Sequence, residues 1–407
     1  MPAARRAINR AVLTPVLSVA GTLVLALALS GCANFAQESA PTTWQSAVPQ
    51  SPEAAPNPQL PGADGGGSGS GSGGAASNPA GPTSVPPPQG CQDFNPAVIA
   101  TCLNPVSAVA VLPGTAGDPI GLVAERATGR ILRVRKGQPA TVVATVPVDA
   151  TGDGGLTGLA LSPTYSEDQL IFAYVTTPTD NRVLLIAPGD APRPIVTGIP
   201  RGANDNRGAL GLDHQGALLV ATGDAGDPNA ASDPKSLAGK VLRIDVDGTP
   251  AAGDPVVGSS VVASGLADPG GVCSSLDGTQ AWVTDRQPTR DVLYRLRVGN
   301  PLGDPAWAWP DRPGVAGCAA FGGSVTIAMS TAGEVQALTL NSDGSFAGKP
   351  QVALHGTGGF GRLAGIDIIN SQSAMVGTVN KDGGTPVSSD DRALVIVGTV
   401  ATGSGQD

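Results

Sequence analysis

The chain has 407 residues, of which 57 are Gly and 37 Pro; 14% are charged, 3% are aromatic, and the formal charge is −9. Gly and Pro stand at close to twice their usual share, which argues against a helical bundle and favours many short strands joined by tight turns. A net-negative chain poor in Lys and Arg lacks the basic footprint that nucleic acid demands, so a nucleic-acid partner is excluded.

Residues 1–31 read as an export signal: Arg5, Arg6 and Arg10 precede an apolar run that closes on small residues. The run ends in Leu29-Ser30-Gly31-Cys32, which resembles the bacterial lipobox and implies a diacylglycerol thioether on Cys32 as the mature N-terminus. Loss of three Arg takes the formal charge from −9 to −12, so acyl chains must supply the hold on the membrane. The expected location is the outer face of the cytoplasmic membrane or the cell envelope. Residues 32–90 carry the lipidated Cys and then a tether, Ala33 to Gly90, with Pro-rich ends, a Gly/Ser middle and no Lys or Arg. Such a segment cannot bury enough surface to offset its ordering entropy, and its reach is about 40 to 45 Å.

With Cys32 assigned to lipid, Cys91, Cys102, Cys273 and Cys318 remain, an even number that in an exported chain points to two disulfides. Three pairings are open; nearest neighbours, Cys91 with Cys102 and Cys273 with Cys318, are the expectation. A Cys/His metal site is not expected, because there is no CxxC and the only histidines are His214 and His355.

Residues 91–403 repeat one pattern: a short apolar strand, a turn that often carries Gly, and a second apolar strand ending in Thr, Gly or Asp. The units open at Ser107, Gly158, Ala209, Gly271, Gly323 and Gly365, 42 to 62 residues apart. A period near fifty with hairpin content predicts an all-β fold, a six-bladed β-propeller, in which radial closure protects the strand edges. The strand from Arg392 is expected to complete a blade with the first part of the domain, and residues 404–407 form a tail. Propellers carry function on the loops at one mouth of the central channel.

Several stretches in this domain carry a resemblance. GGLTGLALSP from Gly154, RGALGLDHQGALLVATGDAGDP, SLAGKVLRIDVDGTP, GLADPGGV, WVTDRQPTRDVLYRL, Trp309-Pro310, GRLAGIDI and TVNKDGGTPVSSDDRALVIV follow one another over about residues 107 to 400. In that order and spacing they resemble the soluble PQQ-dependent glucose/sorbosone dehydrogenases, six-bladed propellers that oxidise aldose sugars. Signal, tether, paired cysteines and propeller together also resemble actinobacterial lipoproteins of that family. The resemblance implies PQQ and Ca²⁺ as cofactors, a base that takes the sugar hydroxyl proton, and cations that polarise the quinone. At the family's His base this chain has Asp205. The family's Arg-Asn pair becomes Ala267-Asp268, one of two arginines survives as Arg362 while the other is Ala364, and Asp153 replaces the Gln or Glu beside the double Gly. The basic residue of the fifth unit falls near Met329 to Thr331, and the Gly-Pro whose carbonyls bridge Ca²⁺ reads Gln287-Pro288.

PQQ is a tricarboxylate, and each lost charge-assisted hydrogen bond is worth on the order of 1.5 to 3 kcal/mol. A cavity that loses cations and gains Asp205 and Asp268 is expected to repel it. The sequence therefore predicts an envelope lipoprotein, monomeric, whose propeller keeps the family fold with altered catalytic and cofactor positions and binds a sugar, a cell-wall ligand or an envelope protein. A second reading is an active PQQ-dependent aldose dehydrogenase with Asp205 as base. A third, metal-dependent hydrolysis, rests on Asp224, Asp227, Asp390 and Asp391, which read more simply as turn-capping carboxylates. His214 and His355 read as solvated turn residues.

Overall fold

In the strand Leu218–Thr222 every residue is buried, and its side chains part by alternation: Leu218 and Val220 enter one apolar cluster, Leu219 and Ala221 another. A strand apolar on both faces needs a sheet packed on either side. The computed structural model, which describes residues 85–398, meets that need with six four-stranded antiparallel sheets arranged in a ring. The signal (1–31), Cys32, the tether as far as residue 84 and the tail (404–407) lie outside the described residues.

The first strands of the blades ring a central axis: Val106–Val111, Leu156–Leu161, Gly208–Leu212, Asp268–Ser274, Val315–Phe321 and Leu363–Asn370. They begin 47 to 60 residues apart. Each seam between neighbouring blades holds one of six aliphatic clusters, such as Leu122, Ile131, Leu156 and Ile171 between blades 1 and 2. The strand Ala393–Val397 is the third of blade 6, and Val98–Ala100 pairs outside it, so the N-terminal part of the domain closes the ring as expected. Two helices of four and five residues, Tyr165–Asp168 and Pro228–Ser232, and one 3₁₀ turn are the only helical elements among the described residues.

The unit expected to open at Gly323 is corrected. Blade 5 begins one strand earlier, at Val315–Phe321, and Gly323 lies in the turn that leads into its second strand, Ser324–Met329. VAGCAAF has small residues where a strand pattern expects β-branched ones. The axis requires them. A Cβ on Gly365 would stand 2.6 Å from the Cα of Ala108, and one on Gly271 would stand 2.7 Å from the amide nitrogen of Cys318.

Both disulfides have the nearest-neighbour pairing, Cys91–Cys102 and Cys273–Cys318. The first fixes the entering chain at the end of the ring where the first strands begin, where Ser388 also donates to the Pro88 carbonyl at 3.0 Å. The second joins the first strands of blades 4 and 5. Loop-closure entropy scales with separation, 11 residues against 45. Replacing Cys273 and Cys318 together by Ala is expected to lower the unfolding free energy by about 4 kcal/mol, and replacing Cys91 and Cys102 by about 3 kcal/mol, as measured by denaturant titration.

Candidate functional site

Where the six first strands begin, the channel opens into a cavity of about 250 Å³. Its charged wall comes from two kinds of position. Asp153, Arg207, Asp268 and Arg362 precede or open first strands, whereas Arg126, Arg286 and Asp382 end or follow second strands. Ser330, directly after the second strand of blade 5, lies at the position where the basic residue of that unit was expected.

Three carboxylates meet here: one oxygen each from Asp153, Asp205 and Asp268 lie within 4.8 Å of one another. Arg207 engages Asp268 with two donors, its Nε at 2.8 Å from Oδ1 and its Nη2 on Oδ2. Behind this pair the fully buried Asp285 accepts the backbone N–H groups of Ala267 (3.0 Å) and Asp268 (2.8 Å) and so fixes where blade 4 begins. Burial pushes the Asp285 carboxyl up to about 7 against the pull of those two N–H groups. Asp153 accepts from the backbone and side-chain nitrogens of Asn206 at 3.2 Å, tying the blade 1–2 connection to the blade 2–3 connection.

Asp205 sits in left-handed backbone, φ 56°, a conformation that Asp and Asn tolerate better than most residues. Asn204 donates to its Oδ2 at 2.8 Å, and its carbonyl accepts the Ala225 N–H at 3.0 Å. Burial, then the charges of Asp268, Asp224 and Asp153, push its carboxyl up to about 6; Arg207 opposes them only weakly.

The cations divide into two classes. Arg126 forks onto Asp382 (2.6 and 3.0 Å) and Arg207 onto Asp268, so both are neutralised in place. Arg286 donates to the carbonyls of Val315 and Gly314 and to Ser330 Oγ, and no carboxylate pairs with it. Burial, helped by the charge of Arg207, brings its guanidinium down to about 9. Arg362 reaches only the Gly383 carbonyl at 3.4 Å, and its buried Nε has no partner.

Of the residues singled out in the sequence, Asp153, Asp205, Asp268 and Arg362 are brought together. Gln287 and Pro288 are not among the residues lining the cavity; they lie in the turn after Arg286, where Gln287 donates to Tyr294 Oη at 2.7 Å. His214 is an exposed turn residue, and His355 is exposed in extended backbone just ahead of the 3₁₀ turn. Asp224, Asp227 and Asp390 accept backbone N–H groups two or three residues away, as turn caps do, whereas the buried Asp391 accepts those of Asn380 and Lys381 across the loop. Arg126, Arg207 and Arg286 also line the cavity, at positions to which the resemblance gave no role. Their one signal in sequence is an Arg at the end of a second strand or just ahead of a first strand.

The family model described as "Glucose / Sorbosone dehydrogenase" matches residues 104–310. Among solved structures, the PQQ-bound aldose sugar dehydrogenase of Streptomyces coelicolor is 31% identical with a TM-score of 0.68, over 74% of this chain and 96% of that one. A putative oxidoreductase (glucose dehydrogenase) of Thermus thermophilus is 26% identical with a TM-score of 0.67, over 74% and 98%. The apo aldose sugar dehydrogenase of Escherichia coli, 19% identical with a TM-score of 0.62 over 74% and 98%, adds a likeness of fold alone. No curated protein sequence matches the chain.

The raised carboxyl of Asp205 has a consequence for stability. Its folded pKa of about 6 lies above the unfolded value of 3.8, so the folded chain holds this proton more tightly. That advantage is present below pH 3.8 and is lost as pH rises through 6. Asp205→Asn, which keeps the left-handed turn, is expected to be stabilising by on the order of 1 kcal/mol at pH 8 and neutral at pH 3.5, in denaturant titrations at the two pH values.

Proposed function

The chain belongs to the glucose/sorbosone dehydrogenase family, and from that premise we propose that it is a lipid-anchored envelope protein whose upper cavity binds a neutral, sugar-class ligand without the family's quinone oxidation. The observation that carries this reading is the cluster of carboxylates at Asp153, Asp205 and Asp268: burial and then the neighbouring carboxylates already raise the proton affinity of Asp205 before any ligand enters. PQQ would bring three more carboxylates. Against them stand Arg286 and Arg362, the two lining arginines without a salt-bridge partner among the described residues, while Asp153 and Asp268 face the same space with the Asp205 carboxylate beside them. These residues do not fit a tricarboxylate. They suit hydroxyl groups, each of which both donates and accepts: Asp153 offers acceptors, Arg286 and Arg362 donors.

The envelope part of the proposal rests on the signal and Cys32, together with the likeness of the whole arrangement to actinobacterial lipoproteins of this family. Two disulfides accord with an oxidising compartment. Among the described residues no helix is long and apolar enough to cross a membrane.

A second reading, PQQ-dependent aldose oxidation with Asp205 as base, is favoured by the 31% identity to an enzyme solved with PQQ bound. A carboxyl near 6 is also suited to proton abstraction close to neutral pH. Titration of the purified protein with PQQ and Ca²⁺, followed by quinone absorbance and by dye reduction with a panel of aldoses, separates the two. The expected result is no micromolar PQQ binding and no aldose-dependent dye reduction, with calorimetric binding of at least one neutral sugar that weakens about tenfold in Arg286→Ala or Arg362→Ala. Micromolar PQQ binding with sugar-dependent turnover would overturn the proposal, and loss of that turnover in Asp205→Asn would identify the base.

A further inference from the structure

At the opposite end of the channel the first strands splay again and enclose a second cavity of about 380 Å³, within the size range of small-molecule sites. A waist of about 40 Å³, with room for a few water molecules, separates it from the upper cavity. Its wall is mainly apolar, with Val111, Leu161, Leu212 and Ile368 at its rim and the Cys273–Cys318 disulfide along one side.

The wall holds one carboxylate, Asp367, and no Lys, Arg or His. Asp367 Oδ2 accepts the Val111 N–H at 2.7 Å across the seam between blades 6 and 1, and Oδ1 accepts the Ile368 N–H at 2.8 Å. Each oxygen keeps a further lone pair. Burial pushes this carboxyl up to about 6, with no charged neighbour acting on it. At neutral pH it is therefore mostly an anion, set in an apolar cavity without a countercharge. Elsewhere Glu125, Asp268 and Asp390 are buried facing Arg130, Arg207 and Arg392, and Asp285 and Asp391 are buried against backbone N–H groups without a salt-bridge partner among the described residues. Asp367 differs from all of these in being half-buried and facing a cavity, where its spare lone pairs are open to a donor that enters. The hydroxyls of Ser162 and Ser274, also on this wall, already donate to Asp168 (2.6 Å) and to the Leu212 carbonyl (2.7 Å).

We propose that the lower cavity is a second binding site, for a small apolar molecule carrying a protonated amine whose ammonium group is held by Asp367. The apolar body lies against the aliphatic wall, and the ammonium supplies the countercharge that the protein omits. The site is independent of whatever the upper cavity binds.

The test compares 2-phenylethylammonium with 2-phenylethanol, alike in shape and different in charge, by isothermal titration of the full chain at pH 7.5. The amine is expected to bind at least about tenfold more tightly than the alcohol. Asp367→Asn should remove that preference. Ser166→Trp, at an exposed position of the short helix lining the mouth, should abolish binding of both probes while leaving the blades intact. Equal affinity for the two probes, no binding of the amine at millimolar concentration, or an amine preference that survives in a folded Asp367→Asn would each overturn the proposal. Where Asp367→Asn fails to fold, the loss or persistence of amine binding in Ser166→Trp decides alone.

Discussion

Six first strands share one axis, and how closely they can approach governs the rest of the molecule. At their midpoints backbone meets backbone, as Gly365 does Ala108 and Gly271 does Cys318, so a side chain there would collide. Larger side chains fit only where the strands splay, at the two ends. One channel thus becomes two cavities joined by a waist. The same constraint decides which residues reach the upper cavity: those just ahead of a first strand and those at or after the end of a second strand. Chemistry there can change without disturbing the seams, because the seams are built from strand interiors.

This geometry explains what the sequence did and did not reveal. Hairpins with apolar residues on both faces are visible in LLVAT or IFAYVT, and six of them imply a ring. Blade 5 was misplaced by one strand because VAGCAAF obeys the crowding at the axis rather than strand propensity. At the site, Asp153, Asp205, Asp268 and Arg362 stand in or next to motifs of fixed order, at positions to which the resemblance gives a role. Arg207 and Arg286 lie inside those motifs and Arg126 outside them, and none stands out, since an arginine at a strand end looks like any solvated cation until the ring folds it inward. Pairing was equally hidden: Arg126 and Asp382 lie 256 residues apart and meet only because blades 6 and 1 close on each other.

Charge is treated differently at the two ends. Above the waist two arginines pair with aspartates, and polar groups there also fix backbone: Asp285 holds the start of blade 4, and Arg126 bridges blades 1 and 6. Below it a single carboxylate stands in an aliphatic wall and serves the seam between blades 6 and 1. A buried ion pair is weak evidence for stability, because desolvation offsets most of its attraction, so the upper network is better read as fixing geometry than as strengthening the fold. That geometry leaves Arg286 and Arg362 facing the cavity without a salt-bridge partner among the described residues.

Asp205 couples this network to whatever enters the cavity. Its protonation is set by burial and by three neighbouring carboxylates, opposed by Arg207. A neutral ligand that excludes water adds to the desolvation and favours the protonated form. An anionic ligand adds a like charge and drives the same proton uptake harder, so its affinity must fall as pH rises through the Asp205 transition. A cation reverses the sign. The pocket therefore distinguishes ligands by charge before it distinguishes them by shape, and the carboxylate at this position disfavours an anionic occupant.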